Sequence, residues 1–356
     1  MRSTPAGSSG PSRPSPLPAA HLGLTWRAPT ESDLPRLAEL LDRESEMRAP
    51  LRPVSLAELR HLAVGAPGAG GAEARVGIDG GGTPRALAAV VAVPGLTGPA
   101  PCFGLGTVDP AWRSRGIGRQ LVAWQVDTAR ALAAAAPSAP GARTQDHPER
   151  LVTVVDDQQV SRRRVHAAAG FSPRRSVIVL TRAVDPDRLP APALAGVHVR
   201  AATHADRPLL ERLQGRLRAL RSEDLAVRPD RWADLEAVAA VPLSAVALGP
   251  DGEAVGMLLS TDPLRADYTA TPPVAALAFG VLPQWRGHGV GESLVAHVHA
   301  ALAAAGVRTH LVEVDVASSA RAPLQGAGYA VAGTSTVYAV ELPGQADPGN
   351  RHDTVN

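Results

Sequence analysis

The stretch VDPAWRSRGIGRQLV at residues 108–122 returns as VLPQWRGHGVGESLV at 281–295, with Val, Pro, Trp, Arg, two Gly, Leu and Val held in place. Each copy follows an apolar run (Phe103 to Val108; Ala275 to Val281) and enters an amphipathic one (Arg119 to Ala135; Glu292 to Ala305), so it reads as strand, turn and helix. Glycine costs about 1 kcal/mol against alanine inside a helix, yet Gly116 and Gly118 in one copy, and Gly289 and Gly291 in the other, occupy the first turn. The first amides of a helix have no acceptor of their own and face outward with the positive end of the dipole behind them, which makes an anion cradle. Bare glycines let a pyrophosphate reach those amides, and Arg113 and Arg286, three residues before the first glycine, can add charge-assisted contacts. The stretch lacks the lysine of a P-loop and follows the fourth strand of its unit, which argues against nucleoside triphosphates and dinucleotides.

Outward from this anchor the repeat continues. LTWRAPTESDLPRL (24–37) and VHVRAATHADRPLL (197–210) share Arg27/Arg200, Thr30/Thr203, Asp33/Asp206 and Pro35/Pro208 at the same offset of 173 residues. Downstream, Gly170-Phe171 matches Gly328-Tyr329 at an offset of 158, so the first copy carries about 15 extra residues, visible as the loop-like APSAPGARTQDHPER at 136–150. A period this long fits two whole domains of one fold in tandem. We place the first domain at 22–185, a proline-rich linker at 186–195 and the second domain at 196–342, with disordered tails at 1–21 and 343–356. Each unit reads as a short strand, helices, a hairpin (clearest at SAVALGPDGEAVGMLLS), the strand before the glycines, a long helix, a fifth strand (LVTVV at 151; HLVEVDV at 310), a short helix and a closing strand. That order is mixed α/β (α+β), with a mostly antiparallel sheet flanked by helices in each unit.

Composition narrows the function. The net charge of +2 comes from 36 basic and 34 acidic residues interspersed without a like-charged block, which argues against nucleic acid as a partner. All basic residues are arginine, and Cys102 is the only cysteine, so no disulfide framework or cysteine zinc cluster forms within one chain, and no metal is expected. The opening segment lacks an apolar signal core and no run approaches a membrane span, so a soluble, cytoplasmic protein with no membrane partner, monomeric or homodimeric, is expected.

The arrangement R-x-x-G-x-G after a Val-x-Pro strand end, at Arg113 to Gly118 and Arg286 to Gly291, resembles the acyl-coenzyme A signature of the GNAT N-acetyltransferase superfamily. The order of elements and the Arg-x-x-Thr-x-x-Asp opening are similar as well, and two such units in one chain resemble the tandem architecture of mycothiol synthase. The resemblance implies acetyl-CoA as cofactor and a primary amine of a small molecule or peptide as acceptor, acetylated by direct attack on the thioester. It also implies cofactor contacts at Val108, Asp109, Arg113, Ser114, Arg115, Gly116, Ile117 and Gly118, and at Val281, Leu282, Arg286, Gly287, His288, Gly289, Val290 and Gly291. Acetylation of a cysteinyl-sugar, or coenzyme A binding without catalysis, are the alternative readings.

Such chemistry needs a base for the ammonium and an acid for the thiolate. The tyrosine that the family often carries four residues before the Gly-Phe pair is His166 in one copy and Leu324 in the other, and the fourth strands lack a carboxylate. Glu313 and Asp315, two apart on the fifth strand and therefore on one face, are the candidate bases if that face lines the cleft, and a polar edge if it meets solvent. His166 is a candidate acid or a solvated helix residue. Tyr338, on the closing strand, is a candidate acid or a packing aromatic. The second domain is preferred for catalysis because its hairpin is clean and it carries Glu313 and Asp315.

Overall fold

The computed structural model describes residues 23–47, 56–64, 72–92, 102–135, 150–185, 194–220, 239–261, 274–316, 318 and 320–342. The first half contains β1 (Thr25–Arg27), α1 (Leu34–Met47), α2 (Leu56–Ala63), β2 (Ala72–Ile78), β3 (Pro84–Ala92), β4 (Cys102–Val108), α3 (Ile117–Ala135), β5 (Arg150–Asp156), α4 (Val160–Ala168) and β6 (Ser172–Ala183). The second contains β7 (His198–Ala201), α5 (Arg207–Ala219), β8 (Ala245–Leu248), β9 (Ala254–Ser260), β10 (Val274–Val281), α6 (Val290–Ala304), β11 (Thr309–Asp315), α7 (Arg321–Gly326) and β12 (Ala330–Glu341). All twelve strands join one sheet in the order β1-β2-β3-β4-β5-β12-β6-β11-β10-β9-β8-β7. Among the described residues only the β4/β5 and β10/β11 pairs are parallel.

The two closing strands change sides. β12 pairs with β5 of the first half, from Ser335↔Asp156 to Glu341↔Arg150, while β6 pairs with β11 of the second, from Thr309↔Ala183 to Asp315↔Val177. β6 and β12 then meet at the centre. Their sequences suit that place: Val177, Ile178, Val179 and Leu180 are consecutive and all buried, the pattern of a strand covered on both faces rather than one. The short β1 and β7 form the outer edges, where few backbone groups are left to template aggregation.

The shared Arg-x-x-Thr-x-x-Asp opening has a structural purpose. Asp33 accepts from the Thr30 amide at 2.7 Å, the Thr30 hydroxyl at 2.8 Å and both terminal nitrogens of Arg27 at 2.6 Å, and Asp206 repeats the set with Thr203 and Arg200. The aspartate caps the helix start and ties it to the first strand. Arginine and threonine hydrogen bonds hold the Asp33 carboxyl far below the usual carboxylate range and bring Asp206 down to about 2.

The helices sit on two faces. α3 packs on β3 and β4 and α6 on β7, β8 and β9, whereas α1 packs on β3 and α5 on β9. Two large apolar cores result, one built around α3 and one around α6. Among the described residues no helix is long and apolar enough to cross a membrane.

Candidate functional site

Both parallel pairs open into a cleft. β4 meets β5 only at Cys102↔Leu151 and Phe103↔Val152, and β10 meets β11 only at Val274↔His310 and Ala275↔Leu311. Beyond those rungs Gly104 to Val108 and Ala276 to Val281 run on without the parallel neighbour, leaving one edge of each strand turned to the opening. β4 keeps unbroken register with β3, whereas β10 bulges between Ala276 and Ala278. A bulge re-aims backbone groups and is common beside active sites.

The glycine turns lie at the open end of each cleft. After β4, Asp109 caps a short 3-10 turn over Pro110–Trp112, and after β10, Leu282 precedes Pro283–Trp285. Arg113 donates from Nε to the Val108 carbonyl at 3.1 Å, and Arg286 to the Val281 carbonyl at 3.0 Å. The signature arginine thus fixes the strand end first and presents its exposed guanidinium at the turn. The backbone is left-handed at Ser114 (φ 63°) and Gly116 (φ 84°), and at Gly287 (φ 76°) and Gly289 (φ 81°). Left-handed residues alternating with right-handed ones turn successive amides to one side, the nest geometry that binds anions. Ser114 holds this conformation without being glycine, a cost that points to function.

The space over the turns is open. A Cβ at Gly116, Gly118 or Gly287 would meet no atom within 4 Å, while one at Gly291 would meet the Phe279 ring at 3.3 Å. Ile117 and Val290 are buried and anchor each helix start to its core, with Gly118 and Gly291 half-buried beside them. Arg115 is exposed and stacks its guanidinium on Trp112, 4.6 Å from the ring centre. His288 is exposed, with Nδ1 2.9 Å from the Arg286 carbonyl.

Two differences separate the clefts. In the first, the carboxylate of Asp109 is buried and tied to Arg43 at 3.0 Å, Arg85 at 2.9 Å and the Ala111 amide at 3.0 Å. Burial opposes its charge, but hydrogen bonds from Arg85 and Ala111 and the charge of Arg43 win, so it titrates below the usual range. Leu282 fills that place in the second. Gln125, buried on α3, also donates to the carbonyls of Leu105 at 2.6 Å and Ala89 at 3.2 Å, lying against Gly104 and Gly106 of β4. The matching position in the second half is the buried Val298.

Candidate acids and bases are dispersed. Glu313 and Asp315 share the sheet face of Leu311, opposite Val312 and Val314, which pack into the α6 core. Both are half-buried, and Asp315 is 3.3 Å from Arg175 of β6. His166 is a buried residue of α4 rather than a solvated one: Nδ1 lies 2.9 Å from the Arg162 carbonyl and the ring meets Phe171 edge-on. Burial, with Arg162 nearby, lowers its pKa to about 4. Tyr338 lies between Thr153 of β5 and Pro173 of β6, in the core of the first half, because its strand changes sides.

Sequence reading passed over a buried group in the second half, where Tyr329 Oη lies 2.5 Å from His310 Nδ1 and 2.9 Å from His299 Nε2. The signal was present: the repeat offsets place Val126 and Phe171 opposite His299 and Tyr329, an apolar pattern broken in one copy only.

The profile of the Acetyltransferase (GNAT) family matches residues 214–325, which span the β10 bulge, the second glycine turn and β11. That segment is a GNAT acetyltransferase domain. Across nearly the whole length the fold is that of solved GNAT proteins. The chain is similar to a GCN5-related N-acetyltransferase from Sphaerobacter thermophilus, with 22% identity, TM-score 0.66, and coverage of 92% of this chain and 98% of that one. It is also similar to a tandem GNAT protein from the clavulanic acid biosynthesis pathway, with 17% identity, TM-score 0.62, and coverage of 91% and 100%. No curated protein matches the sequence.

Proposed function

We propose that the chain is an acetyl-CoA-dependent N-acetyltransferase acting on a primary amine of a small molecule or peptide, with the second cleft as the catalytic one. The observation that carries this reading is the coincidence, in both halves, of a cleft between parallel strands with a left-handed, amide-lined turn, open above Gly116 and Gly118 in the first half and above Gly287 in the second. In the second half the amides of Gly287 to Gly291 and the Arg286 guanidinium would hold the pyrophosphate, and the free edge of β10 would hold the pantetheine arm. When bound, acetyl-CoA supplies an activated acetyl group, whose transfer to an amine frees one proton from the nitrogen and requires one at the sulfur.

This chain's part is to position and to move protons. The oxyanion donor in this reading is a backbone amide on the free edge of β10, past the bulge between Ala276 and Ala278; the Leu282 amide is not available for it, since it donates to the Val255 carbonyl at 2.9 Å. Glu313, on the face away from α6, takes the amine proton directly or through water, with Asp315 held by Arg175 beside it. The bulge and these carboxylates favour the second cleft. The test is calorimetry with acetyl-CoA followed by thiol release across a panel of primary amines, with Glu313→Gln alongside. Binding with amine-dependent release that Glu313→Gln abolishes supports the assignment. Lack of binding overturns it.

A further inference from the structure

We propose that His310, Tyr329 and His299 form a proton path from the closed end of the second cleft through the sheet face that carries α6, a role that rests on the acetyltransferase reading. His310 stands on the inner of the two rungs that close the cleft, opposite Val274, with Ala275↔Leu311 between it and the opening. Its Nδ1 is 2.5 Å from Tyr329 Oη, and Tyr329 Oη is 2.9 Å from His299 Nε2 on α6. All three side chains are buried, and the two outer nitrogens, His310 Nε2 and His299 Nδ1, have no protein partner among the described residues.

Hydrogen-bond counting dictates how such a group behaves. One tyrosine hydroxyl between two imidazole nitrogens donates to one and accepts from the other. If it donates to His310 Nδ1, then His310 carries its proton on Nε2 and His299 donates from Nε2, leaving Nδ1 of His299 as an acceptor. Reversing the hydroxyl reverses both tautomers. The two states differ by one proton moved along the whole chain. Burial lowers His299 to about 4 and His310 to about 3 and raises Tyr329, so every member is neutral near pH 7 and a proton can pass without stranding a charge.

The repeat shows that the fold does not need these groups. Val126, Leu151 and Phe171 fill the corresponding places in the first half, Leu151 on the equivalent rung, and all three lie in one apolar cluster. Unmade hydrogen bonds at buried nitrogens destabilise the folded state, so the polar set answers a demand other than packing. Arg182, from the strand that changes sides, hydrogen-bonds the Ala327 carbonyl, and its charge acts on both His299 and Tyr329. Its counterpart beside Gly170 is Val340. Charge and relay therefore occur together in the half that has the strand bulge.

Proton tasks in the second cleft then divide by sheet face. Glu313 takes up the amine proton on one face. On the other, His310 gives its Nε2 proton toward the cleft, where the sulfur accepts it as the carbon–sulfur bond breaks. Tyr329 passes its hydroxyl proton to His310 Nδ1, His299 passes its Nε2 proton to Tyr329, and His299 Nδ1, closed off from solvent at rest, is resupplied when a local opening admits water. One proton enters, one leaves, and each residue ends neutral.

Nitrogen-15 NMR of histidine-labelled full-length protein tests this by reporting the tautomers of His299 and His310. Coenzyme A should change both tautomer populations together, desulfo-coenzyme A should not, and Tyr329→Phe, which only removes the hydroxyl, should uncouple the two rings. Tyr329→Phe should lower kcat by ~100-fold, with unchanged acetyl-CoA affinity and an altered pH profile. His299→Val, the first half's own residue, should do the same. Tautomers indifferent to coenzyme A, or variants with wild-type kcat and pH profile, overturn the relay alone. Failure of the wild type to bind coenzyme A overturns the acetyltransferase reading and the relay with it.

Discussion

Replacing Gly118 with alanine separates a phosphate cradle from an ordinary helix start. Gly118 is the second residue of α3, its φ is not left-handed, and an added Cβ meets nothing within 4 Å. The methyl group therefore carries no steric penalty in the protein alone, and restored helix propensity stabilises the fold by about 0.5–1 kcal/mol. The same methyl occupies the space a pyrophosphate needs to reach the first amides. Losing one charge-assisted hydrogen bond costs about 1.5–3 kcal/mol, which is about 10- to 150-fold in Kd. Urea denaturation reads the first effect and calorimetric titration with acetyl-CoA the second. Gly116→Ala is a poorer probe, because φ of 84° strains any alanine there and mixes folding with binding. A Gly118→Ala protein that is more stable, yet binds acetyl-CoA with wild-type affinity and stoichiometry, would refute the cradle in the first half.

Two more expectations follow from the buried histidines and the exchanged strands. His166, His299 and His310 have folded pKa values of about 4, 4 and 3, below the unfolded value near 6.5, so the unfolded chain binds protons first as pH falls. Stability is then flat above pH 7 and declines from pH 6.5 toward 4 by about 1.4 kcal/mol per pH unit for each histidine. Asp33 and Asp206 add no slope above about pH 5, where each is ionised in the folded and the unfolded chain alike, and add to the decline below it as the unfolded carboxylates take up protons; denaturation midpoints that do not move between pH 7 and 5 would contradict the histidine contribution. Expressed separately, residues 1–185 and 196–356 should each aggregate or pair with a second copy of themselves, because β5 loses β12 and β11 loses β6. Co-expression should give a one-to-one complex in native mass spectrometry, and a monomeric half with a cooperative melt would show that the exchange is dispensable.

The sequence alone determined what is local. Both glycine turns, the capped helix starts at Thr30 and Thr203 and the strand before each turn are set by neighbours within a few residues. The 173-residue offset revealed the duplication without any fold in view. Pairing between distant strands was not legible. SVIVL at 176–180 and TVYAV at 336–340 suit a central strand equally well, and backbone hydrogen bonds do not distinguish one such neighbour from another. Only the tertiary structure decided that they change sides, which puts Tyr338 in the first half's core and Arg175 and Arg182 beside β11. The faces of β11 were undecided for a similar reason. Alternation places Glu313 with Asp315 and His310 with Val312, but which pair meets α6 depends on how the sheet packs. Burial of His299, Tyr329 and His310 around one hydroxyl is likewise a product of packing, since the three come from a helix, a turn and a strand that the sheet brings into contact.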